Sequence, residues 1–129
     1  MVLINLSHPL APAQLKEVET MLGTTVQEVL EVPVQLDPMQ SFEIQIRQLV
    51  DQLQARLEDG LLASVLFCLP GHSPACALLL AEWHGRVGAF PSFLRRRPVE
   101  GSIPTRFEVA EIVNLQAVRD ASRPHRWSE

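Results

Sequence analysis

The stretch Ser64-Val-Leu-Phe-Cys-Leu-Pro-Gly-His-Ser-Pro-Ala-Cys-Ala-Leu-Leu-Leu-Ala-Glu-Trp83 decides the fold. Residues 64–69 form an apolar run of the kind that a strand buried on both faces requires. Pro70-Gly71 ends it. Ser73-Pro74 then pairs an N-cap residue with a proline at the first helical position, which predicts that a helix starts at this loop. The helix runs through Ala75, Ala77, Leu78, Leu79, Leu80, Ala81 and Trp83 to about Gly85. It is apolar nearly all round, so it is expected to be buried on several sides or to form a subunit interface, and the interface is favoured.

The same strand, loop and helix order opens the chain. Val2-Leu-Ile-Asn-Leu6 is a second buried-type run, with Asn5 its only polar member, and Ser7-His8-Pro9 follows it. Leu15, Val18 and Leu22 then share one helical stripe, with Pro12 suited to the first position and Gly23 to the C-terminal cap. Residues 26–35 read as a strand beside the first one, with Pro33 limiting it to an outer position or a strand end. Phe42, Ile46, Leu49, Val50, Leu53 and Leu57 form the clearest helical stripe, capped by Ser41 and stopped by Gly60. Residues 90–99 and 105–115 read as an antiparallel hairpin. Asn114 is placed to cap a short last helix through Arg119 and Asp120. The predicted class is α/β: a mostly parallel sheet flanked by helices with a C-terminal antiparallel hairpin, forming one domain over residues 1–121, with a polar tail over residues 122–129.

The 129 residues, 47% hydrophobic and 20% charged, leave room for one core and none for a second domain. No apolar run approaches the ~20 residues that span a bilayer, and the opening residues lack a basic region and a cleavage site, so a soluble cytoplasmic protein with no membrane partner is expected. Cys68 and Cys76 both sit in apolar surroundings, as buried reduced thiols do. The net charge of −4 is uneven: up to Leu94 there are four Lys/Arg against ten Asp/Glu, and from Arg95 onward seven Arg against five acids. Arg95 and Arg97 share one face of a predicted strand and Arg96 the other, so they form no single clamp and are too few to hold duplex nucleic acid. Charge protection of an edge strand is the simpler role for them.

Parallel sheets bind ligands outside the carboxyl ends of their strands, where both Ser/His loops fall. Ser7, His8 and Pro9 after the first strand, and Gly71, His72 and Ser73 after the third, are therefore the candidate ligand-binding residues, with Asn114 added from the last helix start. The first N–H groups of a helix suit a phosphate, and Gly71 would let backbone approach it closely. The plainer alternative is that Ser73 only caps its helix and Gly71 only makes the turn. His8 and His72 are the candidates for acid/base work. Cys68, His72 and Cys76 are regularly spaced, but no fourth ligand matches and no metal or other cofactor is expected. A Gly-x-Ser-x-Gly elbow and a Gly-x-Gly-x-x-Gly fingerprint are both missing.

Asn5-Leu-Ser-His-Pro-Leu10, within the opening Val2-Leu-Ile-Asn-Leu-Ser-His-Pro-Leu10, and Asn114-Leu-Gln-Ala-Val-Arg-Asp120, within Phe107-Glu-Val-Ala-Glu-Ile-Val-Asn-Leu-Gln-Ala-Val-Arg-Asp120, are the most specific of several blocks. With Pro33-Val-Gln35, Ala81-Glu-Trp-His-Gly-Arg86 and Arg97-Pro98, they resemble the CRISPR-associated Csx fifteen family over nearly the whole chain. The resemblance implies a Rossmann-like, CARF-like domain of type III CRISPR antiviral defence that binds a cyclic oligoadenylate messenger. Such domains usually dimerise across the ligand, and cyclic tetra-adenylate, a ring with four phosphates, matches a two-fold homodimer. Two outcomes are open: a sponge that sequesters the messenger and dampens signalling, which is favoured, or a metal-independent ring nuclease using 2′-hydroxyl attack. A non-catalytic interaction scaffold built on the apolar helix is the third. Ring size and further assembly on ligand binding stay open. Where members of that family carry Thr after Pro-Leu this chain has Ala11, which deprives the first helix of a side-chain cap.

Overall fold

The computed structural model describes residues 1–127. Among these residues five strands form one sheet: β1 (Val2–Asn5), β2 (Glu28–Glu31), β3 (Val65–Cys68), β4 (Ser92–Pro98) and β5 (Phe107–Asn114), in the order β2-β1-β3-β4-β5. The first four are parallel, and β5 returns antiparallel to β4, forming the expected hairpin. Among the described residues four helices surround the sheet: α1 (Pro12–Leu22), α2 (Phe42–Arg56), α3 (Ser73–Val87) and α4 (Leu115–Ser122). The class is α/β with a mostly parallel sheet.

β1 and β3 are buried throughout, which is why both read as unbroken apolar runs. Alternation within them divides the core. Val2, Ile4, Val65 and Phe67 face α2 and α3, meeting Ile46, Val50, Leu53, Leu79 and Trp83. Leu3, Leu66, Leu94 and Val109 face the other way, towards Val18 of α1. Phe67 and Trp83 meet edge to face, with centroids 5.0 Å apart. That geometry sets the positive ring edge against the negative ring face.

Several local expectations are corrected. The ladder of β2 covers only Glu28–Glu31, shorter than residues 26–35, because Pro33 has no N–H to offer it. Helix α2 ends at Arg56 with Leu57 in extended backbone, and Gly60 lies in the short 3-10 turn Asp59–Leu61. The N-cap of α3 is His72 rather than Ser73, which is the first helical residue, with Pro74 second. β4 is an inner strand and β5 the edge; the arginine-bearing half of β4 runs past the end of β3 and pairs with β5 alone. The segment expected to be a polar tail continues from α4 into a 3-10 turn, Arg123–His125, while its last two residues, Ser128 and Glu129, lie outside the described residues.

The apolar character of α3 is explained largely by burial on two sides. Ala75, Leu79 and Trp83 are buried and Leu78 packs against the same core. Arg86 ties α3 to α2, donating to Asp51 at 2.7 Å and to Glu82 at 3.1 Å. Ala77, Ala81 and Gly85 stay exposed on the outer side. No helix among the described residues is long and apolar enough to cross a membrane.

Candidate functional site

The chain leaves β1 to form α1 on one face of the sheet and leaves β3 to form α3 on the other. Connections that diverge in this way open a crevice at the carboxyl ends of the two adjacent strands. A cleft of about 500 Å³ lies there. Ser7 and His8 line one side and Gly71 and His72 another, while residues 33–36, Pro38 and Phe42 complete the walls. Its volume falls within the range of small-ligand sites, roughly 300–1,000 Å³. The walls are mainly apolar, and no Lys, Arg, Asp or Glu among the described residues lines them.

Asn5 holds the first loop in place. Its side chain is fully buried at the end of β1. The Oδ1 atom accepts from the Ser7 N–H at 3.0 Å, and Nδ2 donates to the His8 carbonyl and to Glu31 Oε2, each at 2.8 Å. A buried amide must find partners, and these three set the path of the chain out of β1. Arg96 reaches the same carbonyl from β4, donating from Nη2 to His8 O at 3.1 Å. Cys68 lies beside this cluster. Burial pushes its thiol up to about 11, with Arg96 opposing the shift and Glu31 adding to it.

His72 holds the second loop. Its Nδ1 accepts from the Ala75 N–H at 3.2 Å, and its ring meets Phe42 edge to face with centroids 5.3 Å apart. Because Nδ1 is the acceptor, a neutral ring carries its proton on Nε2. That atom has no hydrogen-bond partner among the described residues, so the ring can offer a donor to a ligand. Cys76 is half-buried, and its Sγ donates to the Pro70 carbonyl at 3.0 Å. Burial raises this thiol, opposed by its hydrogen bond to the His72 backbone. No group of three or more His, Cys, Asp or Glu among the described residues is placed to hold a metal ion.

The structure therefore brings Ser7, His8, Gly71 and His72 together. Pro9 and Ser73 adjoin the loops but do not line the cleft. Asn114 lies elsewhere: it pairs with Ser92 at the start of β4 and caps α4 by accepting from the Ala117 N–H at 3.0 Å. β5 runs antiparallel, so it ends where the parallel strands begin. This corrects the grouping of Asn114 with the loops.

The sequence reading missed residues 33–36, Phe42, Asn5 and Arg96 as parts of the site. Asn5 carried a usable signal, a lone amide within a buried strand, since such a group must be hydrogen-bonded. Ala11 is the N-cap of α1 and has no side-chain acceptor for the first helical N–H groups; Gln14 Oε1 accepts from the Ala11 N–H at 3.0 Å. The chain matches no protein-family model, no curated protein and no solved structure.

Proposed function

We propose that the cleft binds a cyclic oligoadenylate, with cyclic tetra-adenylate as the ligand, and that a homodimer of this cytoplasmic, Rossmann-like and CARF-like domain holds the ring between subunits and lowers its free level. The observation that carries this is the convergence of Ser7, His8, Gly71 and His72 on one cleft at the β1/β3 divide. Helices α2 and α3 also start there, at Phe42 and just after His72, so two positive dipole ends favour phosphate. Pro33, Val34, Leu36 and Phe42 supply apolar and aromatic surface for a base, since stacking accepts any π face. The exposed small residues Ala77, Ala81 and Gly85 allow a second α3 to approach closely.

Holding the ring suits this site better than cutting it. His72 is committed at Nδ1 to its cap, so it serves as a donor and not as a base for a ribose hydroxyl. His8 would be left to take that role by itself. Labelled cyclic tetra-adenylate, incubated with stoichiometric and substoichiometric protein and run on native and denaturing gels, tests the proposal. The expected result is a native shift with intact ligand. Linear products from excess substrate would establish a ring nuclease instead, and neither shift nor cleavage would overturn the ligand assignment and leave the scaffold role.

A further inference from the structure

A second groove, about 250 Å³, lies on the far side of the Ser7-His8 loop, bordered by Ser7, Cys68, Leu69, Phe93, Arg95 and Arg96. Ser7 lines both cavities, so the loop is a ridge between them. The main cleft has no fixed cation among the described residues, whereas a cyclic oligonucleotide carries one negative charge per linkage. The three consecutive arginines differ in what they have left to offer. Arg95 pairs with Glu111 and Arg97 with Glu108, both at 3.1 Å. Arg96, on the opposite face of β4, pairs with no carboxylate among the described residues and spends one donor on the His8 carbonyl. A guanidinium has five N–H donors, so four remain.

We infer that this groove is an anion subsite, in which Arg96 and the Ser7 hydroxyl take a phosphodiester of the ligand whose neighbouring nucleotide occupies the main cleft. The inference rests on the ligand proposed above. Arg96 joins the two halves of the site: it steadies the ridge through a backbone carbonyl and presents the remaining fork to phosphate. Planar guanidinium forks match phosphate geometry and lose little freedom per hydrogen bond formed.

The test is a salt titration of cyclic tetra-adenylate binding for the wild type, Arg96→Gln, Arg96→Lys and Arg97→Gln. Each phosphate neutralised by a protein cation contributes roughly 0.7 to the slope of log affinity against log salt on single strands. Arg96→Gln is expected to weaken binding about tenfold and to lower that slope by roughly 0.7, while Arg96→Lys keeps the slope and Arg97→Gln changes neither. Weaker binding by Arg96→Gln at an unchanged slope would mean that Arg96 only steadies the loop, and unchanged affinity would mean that it does nothing for the ligand; either overturns the subsite alone. Failure of the wild type to bind overturns the ligand assignment itself, and the subsite with it.

Discussion

His72 closes the amino end of α3 by accepting at Nδ1 the N–H of Ala75, 3.2 Å away, while its ring stands edge to face against Phe42 at the start of α2. One side chain thus caps one helix, touches the first turn of another and lines the cleft between them. Its structural role and the ligand-directed role proposed for it use different ring atoms, so the two can be separated.

His72→Asn should retain a cap, because Asn is among the best N-cap residues, yet remove the Nε2 donor. Urea denaturation is expected to place it near the wild type and His72→Ala about 1 kcal/mol below. Both should lose affinity for cyclic tetra-adenylate, and full affinity in His72→Asn would exclude an Nε2 contact.

Gly71 is not required by the backbone. Its φ is not positive, and beyond its own chain neighbours no atom of the described residues lies within 4 Å of where a Cβ would stand. Gly71→Ala should therefore fold with stability within about 0.5 kcal/mol of the wild type. If ligand backbone approaches this position, as the site predicts, the added methyl group should weaken binding by about tenfold in the same titration, a loss of ~1.4 kcal/mol.

Asn5→Ala removes the groups that hold the Ser7 N–H and the His8 carbonyl. The loss should cost about 2–3 kcal/mol, the penalty for stranding buried polar groups. Amide hydrogen exchange should speed up at Ser7 before it does within α2, where the hydrogen bonds are internal to the helix. Equal protection in variant and wild type would show that Asn5 does not set the loop.

Cys68 predicts an alkaline weakness. Burial raises its thiol from the ordinary 9.0 to about 11, so on raising the pH the unfolded chain releases this proton first. The unfolded state then binds fewer protons, and stability present below pH 9 is lost as the pH climbs towards 11, by about 2–3 kcal/mol in all. Cys76 adds in the same direction. Chemical denaturation at pH 8 and pH 10.5 should show this fall in the wild type and a smaller one in Cys68→Ala. Parallel falls would remove Cys68 as the cause.

Arg86 gathers Asp51, Gln54, Glu82 and the Arg47 carbonyl across the α2–α3 seam. Exposed ion pairs contribute little, but a partly covered guanidinium with several partners should contribute about 1 kcal/mol. Arg86→Met is expected to lose that much in urea denaturation at low salt. A double-mutant cycle with Asp51→Asn should return a coupling energy well above zero.

Much of the architecture was legible because burial leaves a local signature. The apolar runs of β1 and β3, the stripes of α1 and α2, and the breaks at Pro12, Ser41 and Gly23 each report how one segment meets water, and both Ser/His loops followed from the alternation of strands and helices. Asn114 shows where that stops: its place in the chain marks a helix cap, but only the reversal of β5 puts it at the opposite edge from His8. Arg96 shows it again, since its contact with the His8 carbonyl joins residues 88 apart in the chain.

The choice of His72 over Ser73 as the cap is subtler. Serine is the better intrinsic cap, yet the helix begins one residue earlier, with the His72 ring against Phe42, a contact created by packing α2 beside α3. By itself, then, the sequence determined the order of strands and helices but not all of their ends, because periodicity and punctuation are properties of a few neighbouring residues. Strand order, the cleft, its Asn5 and Arg96 supports and the true cap of α3 were decided only by tertiary structure, because each depends on groups distant in the chain that meet once the sheet has been assembled.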